Sequence, residues 1–401
     1  MTVTAISLDS QIRLRPLSRQ LENGVAIIGR GDQFLELPPE GLHFLAWLDE
    51  GLSLAEARQR FEAHYNPFPD TELFEVLEAF LACDFVAAVD NQAISPRLAL
   101  PPAQAGWLPQ SWARYIFSKP VLLGWLLLVV PATLLWVQTP VLWPRRADYF
   151  WLEYNFLIIL VSLLLWLVDM FCHELAHLVA CRAGGIEASI TWTQRLGFIP
   201  MSQTVMHNIW AVPRPARFLP IAAGLLVDVL RISLLVYLLY FHLVGLLLWP
   251  PLLIKFLKFY LLISTLALVA QFWLFSRMDG YFLLSALLGQ RNLQADTWAW
   301  LKSRLFRPGR FEPPAAGMKF IYVYALIMLV GGGLLMGQFL LVQLPIKLRL
   351  LWESLLKISG GITPAPLAFA DGVAVLASQA IDLGLLAYAY WRDTRPNWRS
   401  T

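Results

Sequence analysis

The chain has few charged residues, cysteines and histidines for its length. Only 15% of its 401 residues are charged and the formal net charge is +3, so a strongly basic surface for nucleic acid is not expected. The three cysteines, Cys83, Cys172 and Cys181, give no disulfide framework. Six histidines are too few for the histidine-rich site of a membrane diiron enzyme. The sequence therefore argues against a nucleic-acid-binding protein, a disulfide-rich protein and a membrane diiron enzyme.

Apolar residues are abundant instead, making up 58% of the chain. About twenty consecutive apolar residues suffice to cross a bilayer. The sequence predicts six such spans, at 120–137, 151–181, 218–241, 252–275, 320–341 and 373–391. An even number of spans returns both termini to one side, and the loops on that side carry most of the Lys and Arg, which predicts cytoplasmic termini. We therefore expect a multi-pass protein of the cytoplasmic (inner) membrane, surrounded by the lipid bilayer.

The first 93 residues differ from the rest, since they are polar enough to fold in water and show no secretory signal peptide. Short strands are predicted at 12–17, 25–29, 33–37 and 85–89, and helices near 42–48, 53–65 and 70–81. Ser53 and Glu56 form a predicted capping box. The expected fold is a mostly α membrane helix bundle at 120–401, with a catalytic core at 151–290. A small α+β domain at 1–93 and a Pro-rich linker at 94–119 precede it.

This N-terminal pattern resembles the PqqD-like winged-helix domains of peptide-maturation systems. The resemblance lies in residues 34–37, 40–41, 45–48, 51–57, 65 and 75–85. It implies that a leader peptide or another partner binds by adding an extended strand to the small sheet. Two other interpretations stay open: a cap that binds no ligand, and a winged helix with another use.

The stretch that organises the chain reads WLVDMFCHELAHLVACR from Trp166. It places His173, Glu174 and His177 among apolar residues. Residues i and i+4 lie on one face of a helix, so the two imidazoles can hold one metal ion. In H-E-x-x-H zinc hydrolases the glutamate removes a proton from water that the metal has acidified. The alternative is that both histidines are hydrogen-bonded helix residues, but ionisable groups at membrane depth usually mark function.

A third ligand must come from another span at the same depth, and Asp279 fits this requirement. Two histidines and one carboxylate complete a zinc site with one position left open for water. Gly280 permits a close backbone approach or a turn there. The sequence therefore predicts one Zn²⁺ per chain, with an ordinary helix-terminus turn at Asp279 as the alternative.

Together these motifs resemble the site-2 protease family of intramembrane zinc metalloproteases, particularly its prokaryotic branch of peptide zinc metalloproteases. The resembling segments are 173–177, 220–224 and 277–284. The resemblance implies that His173, His177 and Asp279 are zinc ligands and that Glu174 is the general base and acid. Gln271 and Leu274 stand where the family often has Asn and Pro. Gln271 and Gly224 are the candidate substrate-binding residues.

Other polar groups within the apolar runs are also candidates for a role. Asp169 lies one helical turn before His173 and is predicted to accept a hydrogen bond from an imidazole. Asp228 and Arg231 are predicted to form an ion pair. Residues 189–193 and 202–206 are predicted to form a hairpin that turns at Gly197. This hairpin is either a strand that pairs with an unwound substrate or an interfacial loop.

The function expected from the sequence is hydrolysis of a peptide bond in a membrane-associated peptide or transmembrane segment, near the cytoplasmic face. The leading alternative is a catalytically silent membrane scaffold or an accessory of export machinery that binds peptide through its N-terminal domain. A transporter is the third possibility, against which the absence of a repeat among the six spans is mild evidence.

Overall fold

The computed structural model describes residues 6–22, 24–31, 33–96, 103–195, 199–306, 318–362 and 365–394. Within these ranges the protein is mostly helical, with a small N-terminal sheet region. The chain divides into two compact units. The N-terminal unit comprises residues 1–114, 178–191 and 204–220, and the helical unit comprises 115–177, 192–203 and 221–401. The predicted turn residue Gly197 lies outside the described residues.

The N-terminal unit contains two small antiparallel sheets and three helices. Its first nine elements are β1 (Ile12–Leu14), β2 (Ser18–Glu22), β3 (Val25–Arg30), β4 (Gln33–Leu37), α1 (Gly41–Asp49), α2 (Leu54–His64), α3 (Asp70–Ala82), β5 (Val86–Val89) and β6 (Gln92–Ala93). One sheet has the order β1-β5-β6 and the other β2-β3-β4. The strand predicted at 12–17 ends at Leu14, because Pro16 lacks the N–H that would continue a ladder, and strand β2 was not predicted.

Strand β3 is buried on both of its faces. Ile28 joins the apolar core formed with α1, α2 and α3, while Ile27, on the opposite face, is also fully buried. The 3₁₀ turn Ile209–Ala211 contacts β2 and β3 on the sheet. Arg217 fixes this segment, because its guanidinium donates to Glu22 and to the carbonyl oxygen of Trp210. Residues far away in sequence therefore pack on the β2-β3-β4 sheet.

The predicted capping box at the start of α2 is confirmed. The Ser53 side chain accepts from the backbone N–H of Glu56, and the Glu56 carboxylate accepts from the backbone N–H of Ser53 at 2.9 Å. These hydrogen bonds hold the pKa of Glu56 below its usual value.

The described part of the predicted linker makes specific hydrogen bonds within the N-terminal unit. Gln104 exchanges side-chain hydrogen bonds with the backbone of Ile190, at 3.0 and 3.2 Å. Arg182 donates to the carbonyl oxygen of Leu108 at 3.0 Å, and Arg114 donates to that of Ala183 at 3.2 Å. Residues 103–114 are therefore held in place by side chains and carbonyls from 182–190.

The remaining elements are mostly long helices. They are α4 (Gln110–Ile116), α5 (Lys119–Gln138), α6 (Asn155–Gly184), β7 (Ala188–Arg195), β8 (Ile199–Met206), α7 (Arg214–Leu243), α8 (Pro251–Gln271), α9 (Asp279–Leu288), α10 (Leu293–Phe306), α11 (Met318–Gln338), α12 (Leu344–Ser359) and α13 (Pro366–Thr394). Strands β7 and β8 pair with each other, as predicted. Among the described residues, six helical segments are long and apolar enough to cross a bilayer, and each overlaps one of the six predicted runs.

The fifth of these segments differs most from the prediction. Helix continues from Met318 to Ser359, so the polar joint expected after residue 341 is helical. A π-helical turn at Phe339–Gln343 links α11 to α12. Pro345 follows at the start of α12 and has no N–H to donate to the preceding turn, which explains why regular α-helical bonding is interrupted here.

An aspartate from α13 caps the first turn of α6. The Asp371 carboxylate accepts from the backbone N–H groups of Asn155 at 3.2 Å and Phe156 at 2.7 Å, and Lys357 donates to it at 2.6 Å. Gly372 allows α12 and α13 to touch, since a Cβ there would lie 2.7 Å from the carbonyl oxygen of Ser354. Two of the four otherwise unsatisfied N–H groups at the start of α6 are thereby paired.

Replacing Asp371 by Asn should destabilise the helical unit by about 3 kcal/mol, because it leaves Lys357 and two helix N–H groups without a carboxylate in a buried setting. Unfolding of the purified protein in mixed detergent measures this free energy. The matched control is Asp382→Asn, which breaks the exposed pair with Lys347 (side chains 59% and 46% exposed) and should cost less than about 1 kcal/mol. Equal losses in both variants would contradict the capping role of Asp371.

Candidate metal centre

Helix α6 places the H-E-x-x-H residues side by side in a buried position. His173, Glu174 and His177 are 5%, 8% and 2% exposed. The two imidazole centroids lie 4.9 Å apart, as expected for residues one turn apart on one helical face. Buried ionisable groups are costly unless they are paired or bind a cation, so the surroundings of this triplet decide its chemistry.

Helix α7 packs directly against both imidazoles at Gly224. A Cβ at this position would lie 2.4 Å from Nε2 of His173 and 2.5 Å from Nε2 of His177. Any larger residue would force both imidazoles to shift, so glycine permits this close helix contact. Gly224, a predicted substrate-binding residue, is found beside the predicted metal ligands.

Asp279 reaches the histidines through a tight reversal after α8. Arg277 adopts a left-handed conformation, with φ of +56°, which is uncommon for a residue other than glycine. Helix α9 then begins at Asp279. A Cβ at Gly280 would lie 2.7 Å from the carbonyl oxygen of Gln271, so the predicted close approach at this glycine is confirmed. The reversal explains how a residue after α8 can face α6.

The three predicted ligands lie together. Asp279 Oδ2 is 2.8 Å from His173 Nε2 and 2.9 Å from His177 Nε2, and the two nitrogens are 3.2 Å apart. Tetrahedral zinc with bonds of about 2.0 Å sets neighbouring ligand atoms roughly 3.3 Å apart. The cluster of nitrogens and oxygen, with all ligand atoms within 4.8 Å of one another, therefore fits a small divalent cation.

Asp228 of α7 fixes the orientation of the His173 ring. The Nδ1–H of His173 donates to Asp228 Oδ2 at 2.8 Å. This bond leaves Nε2 facing Asp279 and His177, which is the usual arrangement of a metal-ligating histidine. The predicted ion pair of Asp228 with Arg231 is confirmed at 3.0 Å.

Arg231 also pairs with Asp169, at 3.2 Å, and Tyr260 of α8 donates to Asp169 at 2.6 Å. Asp169 was predicted to accept from an imidazole, but the carboxylate in contact with His173 is that of Asp228. Asp169 is held one step further away, through Arg231. The connected polar groups extend from α6 through α7 to α8.

Charge balance in this region favours a bound cation. Four carboxylates, those of Asp169, Glu174, Asp228 and Asp279, accompany one guanidinium, that of Arg231. With both histidines neutral, the group is strongly negative. Uncompensated negative charge inside a protein is unfavourable, and a divalent cation at the ligand cluster would offset most of it.

The roles of two of these residues were not predicted from the sequence. Tyr260 gave no sequence signal beyond being a tyrosine within an apolar run, and Asp228 was interpreted only as the partner of Arg231. The useful signal was the pair of charges inside a predicted span, which required buried partners. Gln271 ends α8 and contacts Gly280 through its carbonyl oxygen; its predicted role in substrate binding stays a prediction.

The β7–β8 hairpin touches the motif helix close to the histidines. The backbone N–H of Ser202 in β8 lies 3.3 Å from the sulfur of Met170, three residues before His173. Ser202 Oγ is buried and has no hydrogen-bond partner among the described residues. An extended strand therefore lies within a few residues of the candidate metal ligands.

Comparison with protein-family models matches none of them to this chain, and neither the curated proteins nor the solved structures give a significant match. The chemistry of the site must therefore be argued from its own residues.

Replacing Gly224 by Ala should reduce zinc affinity at least about tenfold, because the new methyl group forces both imidazoles to move. Zinc per chain, measured by mass spectrometry against a graded chelator, gives this affinity. Gly332→Ala is the matched control, since a Cβ there meets nothing within 4 Å. Full zinc binding by the Gly224→Ala protein would contradict the arrangement described.

Asp228→Asn should weaken zinc binding by about 10- to 100-fold, since a carboxylate that orients a metal-bound histidine contributes about this much. Asp169→Asn should have a smaller effect, because Asp169 contacts Arg231 and Tyr260 rather than an imidazole. The same chelator competition distinguishes them. If Asp169→Asn proved the more damaging change, the assignment of Asp228 as the orienting group would be wrong.

Proposed function

We propose that this protein is an intramembrane zinc metalloprotease of the site-2 protease type, which hydrolyses a peptide bond in a membrane-associated peptide or transmembrane segment. The observation that carries the proposal is the convergence of His173, His177 and Asp279 beside Glu174. Two imidazoles, one carboxylate and an adjacent glutamate form the residue set of a zinc hydrolase.

Membrane insertion is supported by the outward faces of the long helices. Large apolar side chains are exposed along them, among them Leu126, Leu163, Leu329 and Leu383, each at least 50% exposed. Such faces are unfavourable in water and favourable in lipid. Trp107, Trp112 and Tyr115 are each at least 65% exposed just before α5, and aromatic residues favour the membrane–water interface.

The orientation proposed from the Lys and Arg distribution places both termini in the cytoplasm. Since α6 then ends on the cytoplasmic side, His173 and His177 lie in the cytoplasmic half of their span. Hydrolysis would take place near that face of the membrane.

His173, His177 and Asp279 would hold one Zn²⁺. When bound, zinc lowers the pKa of water and polarises a carbonyl group. Two buried imidazoles and a partly buried carboxylate fit this ion, and the hydrogen bond from His173 to Asp228 directs Nε2 towards it.

Glu174 performs the proton transfers. Its carboxylate accepts a proton from the attacking water, whose oxygen bonds to the scissile carbonyl carbon. Glu174 then delivers the proton to the amide nitrogen as the C–N bond breaks, so the products are a carboxylate and an amine. The position of Glu174 next to His173 on α6, and its burial, support this role.

The substrate must present an extended backbone, because amides within a helix are shielded from attack. Strand β8 offers an extended neighbour close to the histidines, which supports strand pairing with the substrate as its role. Gln271 is the candidate for a hydrogen bond to the substrate backbone.

The N-terminal domain, which we interpret as a PqqD-like winged helix, would bind a leader peptide or another partner, including a component of export machinery. Its two small sheets and three helices support this interpretation.

Glu174→Gln should retain zinc while lowering the cleavage rate by about 10²- to 10⁴-fold, the usual contribution of a general base. The measurement is product formation by mass spectrometry, with the full-length protein reconstituted in liposomes together with a candidate transmembrane substrate. Chelation should abolish cleavage by the unsubstituted protein, and added zinc should restore it.

Cleavage that proceeds equally fast with Glu174→Gln would refute the proposed chemistry. The alternative of a silent scaffold would be favoured if the unsubstituted protein bound zinc and peptide but cleaved nothing, and if a cellular phenotype survived the Glu174→Gln substitution.

A further inference from the structure

An open cleft of the N-terminal domain lies between its two sheets and is lined by four arginines. It has a volume of about 880 Å³ and is open to solvent. The residues that line it are Arg13, Leu14, Arg15, Pro16, Leu17, Arg19, Arg30, Asp49, Ala87, Ala88, Asn91 and Ala93. Its volume is within the range of ordinary ligand sites, so the charge on its walls decides what it can bind.

The arginines are only partly neutralised by neighbouring carboxylates. Buried Asp84 accepts from Arg30 at 2.6 Å and pairs with Arg15 at 3.5 Å. One carboxylate therefore serves two guanidinium groups. Arg19 has a carboxylate of its own, because it pairs with Asp49 at 2.5 Å. One positive charge is therefore in excess, at the two arginines that share Asp84.

Arg13 adds a second excess charge. It lies on β1, is exposed, and forms no ion pair within the described part of the chain. The cleft thus offers positive charge in excess, which favours an anionic ligand.

We propose that this cleft binds the acidic side chains of an extended peptide segment. Guanidinium groups match the planar carboxylate and bind it through paired hydrogen bonds. The small side chains of Ala87 and Ala93 leave room between the arginines for such a segment. The inference rests on the proposed peptide-binding role of the N-terminal domain, and it is independent of hydrolysis at the metal centre.

An open strand edge favours a peptide over a small anion. Strand β2, which carries Arg19, is the outer strand of its sheet and pairs only with β3 among the described strands. A segment that pairs with the free edge of β2 gains backbone hydrogen bonds, and its acidic side chains are then close to Arg19 and Arg13.

The test is equilibrium binding to the full-length protein in detergent. The probe is a fluorescein-labelled twelve-residue peptide of alternating Glu and Val, and the comparison peptide alternates Lys and Val; anisotropy reports both. The Glu-Val peptide should bind at least about tenfold more tightly, and 0.5 M NaCl should weaken it because exposed charges are screened. Binding should be the same in the Glu174→Gln background, which separates this proposal from the proposed proteolysis.

Arg13→Ser should weaken binding of the Glu-Val peptide about tenfold, since it removes one charge-assisted contact. Arg60→Ser is the matched control: Arg60 is exposed on α2, pairs with Glu50 and lies outside the cleft, so its replacement should leave affinity within about twofold. Hydrogen exchange should slow at β2 when the peptide binds.

Three results would overturn the proposal. The first is equal binding of the two peptides, and the second is an equal loss of affinity in the two arginine variants. The third is displacement of the peptide by inorganic phosphate, or by phosphatidylglycerol vesicles, at similar concentrations, which would assign the cleft to a small anion or to a membrane surface instead.

Discussion

The missing side chain at Gly224 is the constraint on which the candidate metal centre depends. Because α7 has only a hydrogen at this position, its backbone can lie against both imidazoles of α6. The same approach brings Asp228, one turn further along α7, within 2.8 Å of His173 Nδ1. One close helix contact therefore sets two features of the site: the packing of the histidine rings and the direction in which Nε2 of His173 points.

A second constraint is that charges buried among apolar helices need partners. Arg231 joins the carboxylates of Asp228 and Asp169, and Tyr260 completes the group. Three helices are linked by these contacts, so the polar network serves packing as well as orientation of the ligand. Among the described residues, the carboxylates of this network outnumber its one guanidinium, and this excess is the electrostatic reason for expecting a divalent cation between the imidazoles.

Sequence patterns predicted the local parts of this structure better than the contacts between helices. The i, i+4 histidines, the capping box at Ser53 and the six apolar helices follow from short-range spacing. The partner of His173 could not be predicted this way, because it depends on how α7 is rotated about its axis and where it crosses α6. Asp169 has suitable spacing on α6 itself, yet the carboxylate that reaches the ring comes from the neighbouring helix. The continuation of helix beyond residue 341 was also missed, since the Lys and Arg residues of α12 indicated a loop.

The two proposed sites follow from the same electrostatic argument applied with opposite signs. In the helical unit, carboxylates outnumber guanidinium groups around His173 and His177, so the site favours a cation. In the N-terminal unit, Arg13 and the pair of arginines that share Asp84 outnumber the carboxylates, so the cleft favours an anion. A fully neutral arrangement would have been more favourable for folding alone, because each unpaired charge carries a cost in desolvation or repulsion. The first imbalance surrounds a cluster of two imidazoles and a carboxylate with ligand spacing, and the second lines an open cleft beside Ala87 and Ala93; this is the physical reason for assigning ligands to them.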